Sequence, residues 1–181
     1  DGVREDAEGR SVEITLMTYG KVNGGEGAAL ILQEDLARVG VRMSVRMVEY
    51  SDTSRILTRE PRWELFVMRW FLGTDPQGMD GIWMTDSDWH VWNPKSGPLD
   101  PYEAEINAIF RQAKLEADPA GRKRLFDRFQ EIAAREIPAI HLAVPARLVA
   151  FTNRFANFVP TPELDARYWS GIPYLYEREA R

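Results

Sequence analysis

Hydrophobic and polar positions alternate along the first part of the chain, change to helical spacing, and then repeat both patterns. The alternation over 12–16 predicts a strand, and the apolar spacing over 32–39 predicts a helix. A second alternation over 41–47 predicts another strand, and 53–60 predicts a short helix that Pro61 ends. This order of strand, helix, strand and helix is typical of a largely parallel sheet with right-handed crossovers.

A short apolar run, 65–68, is the segment around which the rest of the chain is arranged. It lies between Pro61 and Gly73, and a run of this length between breakers predicts a strand buried on both faces in the middle of the sheet. The next residues, 69–72, bring a cation and two large aromatic side chains to the carboxyl end of this strand. Open α/β sheets bind ligands at that end, so we expect the functional face here.

The segment 73–99, called the Trp-rich loop below, has no usable periodicity and contains Trp83, Trp89 and Trp92. Loops longer than about 15 residues are uncommon in compact domains and are usually functional or disordered. Three tryptophans argue against disorder, so we expect a folded loop that packs on the ligand face.

Two amphipathic helices follow the Trp-rich loop. Asp100-Pro101 and Asp118-Pro119 are typical helix starts, with an acidic cap before a Pro in the first turn. The short linkage between the helices predicts a hairpin packed over the sheet. Alternation over 140–144 predicts a further strand, and 148–151 can form another.

Composition and charge exclude several classes of protein. The 181 residues carry a net charge of −5 with scattered Lys and Arg, whereas binding to nucleic acid needs clustered positive charge. The absence of Cys excludes disulfides, thiolate metal sites and Cys nucleophiles. No apolar stretch approaches the roughly 20 residues needed to cross a bilayer. The chain opens on DGVRE without a Met, and we expect it to be a piece of a longer protein.

Five loose motifs occur in an order that runs nearly end to end. They are the opening DGVRE, Leu36-x-x-x-Gly40-Val41 before a strand, Glu64-Leu65 through Trp70 with Asp75-Pro76, Asp118-Pro119-Ala120-x-Arg122 with Gln130, and Ile137-Pro138-Ala139-Ile140. Together they resemble the C-terminal lobe of the family 5 extracellular solute-binding proteins, the peptide- and nickel-type receptors of ABC importers. The resemblance implies an α/β fold of the type II periplasmic-binding class, with a mixed, mostly parallel sheet flanked by helices.

The resemblance also implies an organisation and a function. Residues 1–10 would be the lead-in from a missing N-terminal region, and 11–181 a single α/β lobe. This lobe would form one wall of a cleft that closes on a peptide or other small solute and presents it to the membrane permease. The expected partners are the solute, the N-terminal lobe of the same protein and the ABC permease. The expected location is extracytoplasmic, in the periplasm or as a membrane-tethered lipoprotein.

Candidate ligand-binding residues lie at the exit of the third strand and in the Trp-rich loop. Trp70 and Phe71 can stack on a ligand, and Arg69 can offer a fork of donors to a ligand carboxylate. A structural role fits the same residues, with Trp70 capping the core and Arg69 in a surface salt bridge. The candidates are Arg69, Trp70, Phe71, Leu72, Gly73, Asp75, Trp89 and Trp92.

One position departs from the pattern of the family. In its peptide-binding members an Asp three residues after the Trp holds the amino group of the peptide, whereas this chain has Gly73 there. The spacing to Pro76 is also one residue shorter. Asp75 could substitute for that carboxylate.

Other chemistries have weaker support, and we expect no catalytic residue, cofactor or metal. The acids of the Trp-rich loop with His90 could form a cation site, but they lack the Gly-centred register of a calcium loop. The stretch 23–27 suggests a phosphate loop, but Leu30 stands where the dinucleotide pattern needs Gly. Two alternatives stay open: an α/β enzyme domain for an anionic substrate bound at 23–27, and a stand-alone protein-interaction module with exposed aromatics.

Overall fold

A three-stranded parallel sheet occupies the first half of the chain, in the order β2-β1-β3. β1 is Glu13–Tyr19, β2 is Arg42–Val48 and β3 is Leu65–Val67. β1 pairs with both neighbours, and its Leu16 lies opposite Leu65. The computed structural model describes residues 2–20, 25–60, 62–70, 75–93, 99–143, 152–158 and 174–177.

Two helices connect the strands, as the sequence predicts. α1 (Gly25–Arg38) joins β1 to β2, and α2 (Tyr50–Thr58) joins β2 to β3. α1 covers one face of the sheet, where its Ala29 is buried with Leu16 and Met43 in a small core. Because β2 and β3 lie on opposite sides of β1, crossovers of the usual right hand are expected to put α1 and α2 on opposite faces of the sheet.

In the described sheet β3 lies at an edge and β1 in the middle, so the prediction of a central third strand is wrong for these residues. Leu65 is 37% exposed, and Phe66 and Val67 are half-buried. The fully buried positions belong to β1, at Leu16 and Thr18. A short apolar run indicates that a strand is shielded from water, but it does not specify how many strands lie beside it.

Two longer helices form the predicted hairpin, α4 (Pro101–Leu115) and α5 (Pro119–Glu136). Each begins at a predicted Asp-Pro start. Asp100 forms a capping box with Glu103, and Asp118 accepts hydrogen bonds from two backbone N–H groups in the first turn of α5. These and the other described helices are too short or too polar to cross a membrane.

The hairpin has its own hydrophobic core. Ile106, Phe110 and Ile132 are almost fully buried there. The Trp-rich loop supplies its partners from outside the hairpin, including buried Trp83 and half-buried Trp92. In the described residues the hairpin thus packs on this loop, and not on the sheet as predicted, while the sheet keeps a separate core with α1.

The described part of the Trp-rich loop, 75–93, is folded, as predicted, and contains two short helices that the sequence pattern did not predict. A 3-10 helix spans Pro76–Met79, and a single helical turn, α3, spans Asp80–Trp83. Asp75 caps the first of them by accepting a hydrogen bond from the backbone N–H of Gln77 at 2.9 Å. The Asp-Pro pair at 75–76 is the same start signal that correctly located α4 and α5.

The C-terminal part differs from its prediction. Residues 140–143 do not form a strand, and their side chains are exposed. The remainder of that predicted strand, and the one over 148–151, lie outside the described residues. Two short strands, β4 (Phe155–Ala156) and β5 (Tyr176–Glu177), form an antiparallel pair. Alternation indicates a preference for a paired strand but does not supply the partner.

The beginning of the chain folds back on the turn after α1, which leads to a testable prediction. The N–H of Arg4 donates to the carbonyl of Gly40 at 2.7 Å, and Gly40 has a φ of +82°. A Cβ there would lie 2.6 Å from the carbonyl oxygen of Gly2. We expect Gly40→Ala to lower the free energy of unfolding by about 1–3 kcal/mol, because Ala disfavours this φ and collides with the lead-in.

Urea unfolding measures this effect, and α1 offers a matched control. A Cβ at Gly27 meets nothing within 4 Å, so Gly27→Ala should leave stability unchanged or raise it slightly. Equal stabilities of the two variants would contradict the packing of the lead-in against Gly40.

Candidate ligand-binding site

The carboxyl ends of β1, β2 and β3 lie at one edge of the sheet because the strands are parallel. The chain passes from β1 to β2 on one side and returns to β3 on the other, so the strand order reverses at β1. Open α/β sheets bind ligands outside the carboxyl ends at such a switch point. The backbone N–H of Arg69 donates to the hydroxyl of Tyr19 at 3.1 Å, which fixes the exit of β3 beside the end of β1.

Two of the predicted site residues, Trp70 and Trp89, are in contact. Their ring centroids are 6.0 Å apart and the ring planes meet at 83°, an edge-to-face geometry. Trp70 is half-buried and Trp89 is 39% exposed, so the pair is anchored in the protein yet reaches solvent. The structure therefore brings the strand exit and the Trp-rich loop together into one aromatic surface.

Asp75, a third predicted site residue, is bound to the scaffold. The Nη2 of Arg122 donates to its Oδ1 at 2.7 Å, in addition to the cap bond from Gln77. The Arg122 hydrogen bond, and secondly that from Gln77, holds the pKa of Asp75 below its usual value. Because this pKa is lower in the folded state than in the unfolded chain, ionised Asp75 stabilises the fold at pH values above the ordinary Asp pKa. This stabilisation is lost as the pH falls through the lowered pKa of the folded state.

Arg122 is fixed on several sides. Its Nε donates to the carbonyl of Ala113 at the end of α4 at 3.2 Å. Its guanidinium carbon lies 5.1 Å from the centroid of the Phe126 ring, within cation–π range. Arg122 thereby connects α4, α5 and the cap of the 3-10 helix that follows the strand exit.

Trp92, another predicted site residue, packs with the hairpin. Its ring centroid lies 5.0 Å from that of Trp83 and 4.4 Å from that of His90. It also contacts the buried cluster around Phe110 and Ile132. These contacts give Trp92 a structural role, and its role in ligand binding stays a prediction.

A buried polar network holds the end of the Trp-rich loop on α4. The Nε2 of His90 lies 2.8 Å from Glu103 Oε1, with side-chain exposures of 2% and 1%. His90 Nδ1 lies 3.2 Å from the carbonyl of Ile82. Glu103 Oε2 accepts hydrogen bonds from Asn93 at 2.7 Å and from the backbone N–H of Asp100 at 3.2 Å. Every oxygen of this buried carboxylate is therefore satisfied.

The sequence pattern did not predict this network. It indicated His90 only as a possible cation ligand, and Glu103 also belongs to the capping box at the start of α4. Both ring nitrogens of His90 are instead used by protein acceptors. The pairing joins residues in different segments, and a spacing pattern within one element cannot reveal it.

The remaining predicted features are the other residues at the strand exit and the possible cation site. Arg69 is exposed, and Phe71, Leu72 and Gly73 lie outside the described residues. Within the part of the chain that is described, no group of three or more potential ligands could hold a metal ion. Asp80, one of the acids of the Trp-rich loop, accepts a hydrogen bond from the N–H of Gly81 at 2.7 Å.

The overall arrangement is that of one lobe of a type II periplasmic-binding protein. The structure of the oligopeptide-binding protein AppA from Bacillus subtilis, in complex with a nonapeptide, matches with a TM-score of 0.60 and 22% identity. The match covers 76% of this chain and 26% of that one. The fold expected from the sequence is confirmed.

Sequence relatives agree with this fold. A "Probable ABC transporter-binding protein" of Deinococcus radiodurans is 21% identical over 178 residues, covering 92% of this chain and 30% of that protein. Oligopeptide-binding protein AppA of Bacillus subtilis is 23% identical over 170 residues, covering 91% of this chain and 30% of that protein. No protein-family model matches. The neighbours are family 5 ABC solute-binding proteins, so the resemblance is confirmed, and the chain spans less than a third of the length of these relatives.

Proposed function

We propose that this chain is the C-terminal lobe of the substrate-binding component of an ABC importer. In this proposal residues 1–10 lead in from an N-terminal region and 11–181 form one wall of a solute cleft. The complete receptor is extracytoplasmic, closes on a peptide or other small solute, and presents it to the permease. The relatives are transport binding proteins rather than enzymes, which supports binding without catalysis.

The observation that carries the proposal is the contact of Trp70 with Trp89 at the exit of β3. Ligand pockets are mostly apolar with a few placed polar groups, and aromatic side chains supply large contact area at low entropic cost. A half-exposed indole pair at the carboxyl edge of a parallel sheet provides such a surface. Arg69 and the predicted residues Phe71, Leu72 and Gly73 would complete it.

Closure of the cleft provides the signal to the permease. A solute that contacts both walls binds the closed form better than the open form, so it shifts the hinge equilibrium towards closure. A single lobe supplies only half of those contacts. We therefore expect weak or undetectable affinity of the 181-residue chain for peptides, sugars and Ni²⁺ in isothermal titration, and submicromolar binding would contradict this expectation.

The site itself is tested by substitution in the full-length receptor. We expect Trp70→Ala and Trp89→Ala each to lower the affinity for its solute by about tenfold or more, because a buried aromatic anchor typically contributes at least this much. Isothermal titration measures the affinity, and Tyr174→Ala, which removes an aromatic side chain that is 70% exposed, is the control. Unchanged affinity in both Trp variants would refute this site.

A further inference from the structure

We propose that the His90 ring is a buried imidazolium, and that its second proton holds the end of the described loop on α4. Folding then takes up one proton at neutral pH, and the docking of this loop weakens as the pH rises. The inference concerns the buried polar network alone and does not depend on the proposed function.

Both nitrogens of the His90 ring face oxygen atoms. Nδ1 lies 3.2 Å from the carbonyl oxygen of Ile82, and Nε2 lies 2.8 Å from Glu103 Oε1. A backbone carbonyl has no hydrogen to donate, so the proton of the first contact belongs to Nδ1. A neutral imidazole has only one N–H, so the second contact needs a further proton, either on Nε2 or on the carboxyl group.

The surroundings of Glu103 assign this further proton to the ring. The Oε2 of Glu103 accepts hydrogen bonds from the side-chain amide of Asn93 at 2.7 Å and from the backbone N–H of Asp100 at 3.2 Å. Donors that point at a carboxyl group favour its ionised form. The ionised carboxylate in turn requires the proton of the remaining contact to lie on Nε2. The pair is therefore an imidazolium beside a carboxylate, with no net charge.

The groups around this pair favour a cation on the ring. The Trp92 ring centroid lies 4.4 Å from that of His90, within the range of cation–π attraction. Burial, and then the negative charges of Glu103, Asp100 and Glu136, raise the pKa of Tyr102 to about 12, so the surroundings are negative. The charged or titratable groups around the pair are Glu103 and Tyr102 on α4, Asp100 at its start, Glu136 at the end of α5 and Asp88 in the loop, and Lys95 lies outside the described residues.

The second proton connects three parts of the fold. It allows one ring, near the end of the described loop, to bind both Ile82 in α3 and Glu103 in α4. Without it, one of the two oxygens would face a nitrogen lone pair inside the protein, and an unsatisfied buried polar group is costly. Trp89 directly precedes His90 and contacts Trp70, so the same proton also helps to hold one half of the indole pair.

The dependence of stability on pH tests the inference in the 181-residue chain. An unfolded histidine loses its proton at about pH 6.5, whereas folded His90 keeps it within the pair. Because the folded state then binds one more proton, the contribution of the pair to stability is complete just below this pH and is lost as the pH rises above it. We expect the equilibrium constant for unfolding, measured in urea, to rise about tenfold between about pH 7.5 and 8.5.

Glu103→Gln removes the need for the second proton but keeps the hydrogen bonds. Its amide donates to the Nε2 of a neutral ring, and its oxygen still accepts from Asn93 and Asp100. The tenfold rise should vanish in this variant, which should instead lose stability below about pH 6.5, where only the unfolded histidine gains a proton. Glu105→Gln, the same change at the half-buried pair with Arg128, should keep the rise. Parallel pH profiles of the wild type and Glu103→Gln would overturn the inference.

Nitrogen-15 nuclear magnetic resonance of the histidine rings tests the protonation state directly and needs no substitution. The chain has two histidines, and the exposed His141 is an internal reference for a ring in water. We expect both ring nitrogens of His90 to carry hydrogen at about pH 7.5. A His90 ring with hydrogen on Nδ1 alone would show that it is not an imidazolium, and the inference would fail.

Discussion

Replacement of Glu103 by Leu is expected to lower the free energy of unfolding by about 3–5 kcal/mol, because it leaves several buried or half-buried polar groups without their hydrogen-bond partner, at about 1–3 kcal/mol each. Glu103 is 1% exposed and accepts hydrogen bonds at both oxygens. Leu fills the space but accepts none, so the His90 ring, the Asn93 amide and the Asp100 N–H all lose their acceptor. Urea unfolding of the 181-residue chain measures the loss.

Two further substitutions separate the loss of hydrogen bonds to Glu103 from the effect of changing a side chain on α4. Glu105→Leu makes the same change two residues along α4, at a half-buried, bidentate ion pair with Arg128 whose side chains are each 42% exposed, and should cost less than Glu103→Leu because both groups left behind still reach water. Glu103→Gln should be milder than Glu103→Leu, because the amide can still accept two hydrogen bonds and donate one to a neutral imidazole. Equal losses for the two Leu variants would show that the His90–Glu103 network is not formed.

Phe110→Ala is the second change with a large expected effect. Phe110 is 0% exposed and meets Phe126 and Phe129 edge to face, with ring centroids 5.6 and 5.2 Å away. Truncation leaves a cavity at the centre of the hairpin core, and such changes typically cost about 3–5 kcal/mol. Thermal or urea unfolding is the measurement.

The control for this change lies on the same helix. Leu115 is 85% exposed at the end of α4, and Leu115→Ala should leave stability nearly unchanged. If Phe110→Ala were as harmless as Leu115→Ala, the hairpin could not be the main core of the lobe.

The sequence predicted most elements of this fold because their patterns are local. Hydrophobic periodicity located β1, α1 and β2, and the Asp-Pro starts located α4 and α5. These signals follow from side-chain direction and helix capping, which depend on residues a few positions apart. The same start signal at Asp75 was overlooked because the surrounding loop lacks periodicity.

Positions that depend on distant partners were predicted less well. The apolar run of β3 indicated a strand but not its place at the edge of the described sheet, since pairing is not encoded in a run of three or four residues. The alternation over 140–144 indicated a strand, yet its described part is unpaired and exposed. Local preference yields to tertiary context in both cases.

In the candidate site, too, local patterns were predictive and contacts between distant residues were not. The strand-exit rule selected Trp70, and its contact with Trp89 agrees with a folded loop on that face. The engagement of Asp75 by Arg122 joins residues in separate elements, and no spacing within the loop reveals it. Ion pairs between elements depend on the packing of the whole chain, so they became apparent only in the folded structure.

The indole pair at the strand exit also gives this protein an intrinsic optical reporter. Trp83 and Trp92 lie against the hairpin core, so their emission should be blue and insensitive to additions to the solvent. Trp89 is partly open to water, so its emission should be redder and accessible to a collisional quencher such as iodide. Under the proposed function, a solute or a second lobe seated on the indole pair would shield Trp89, and its arrival could be followed in real time without any attached dye.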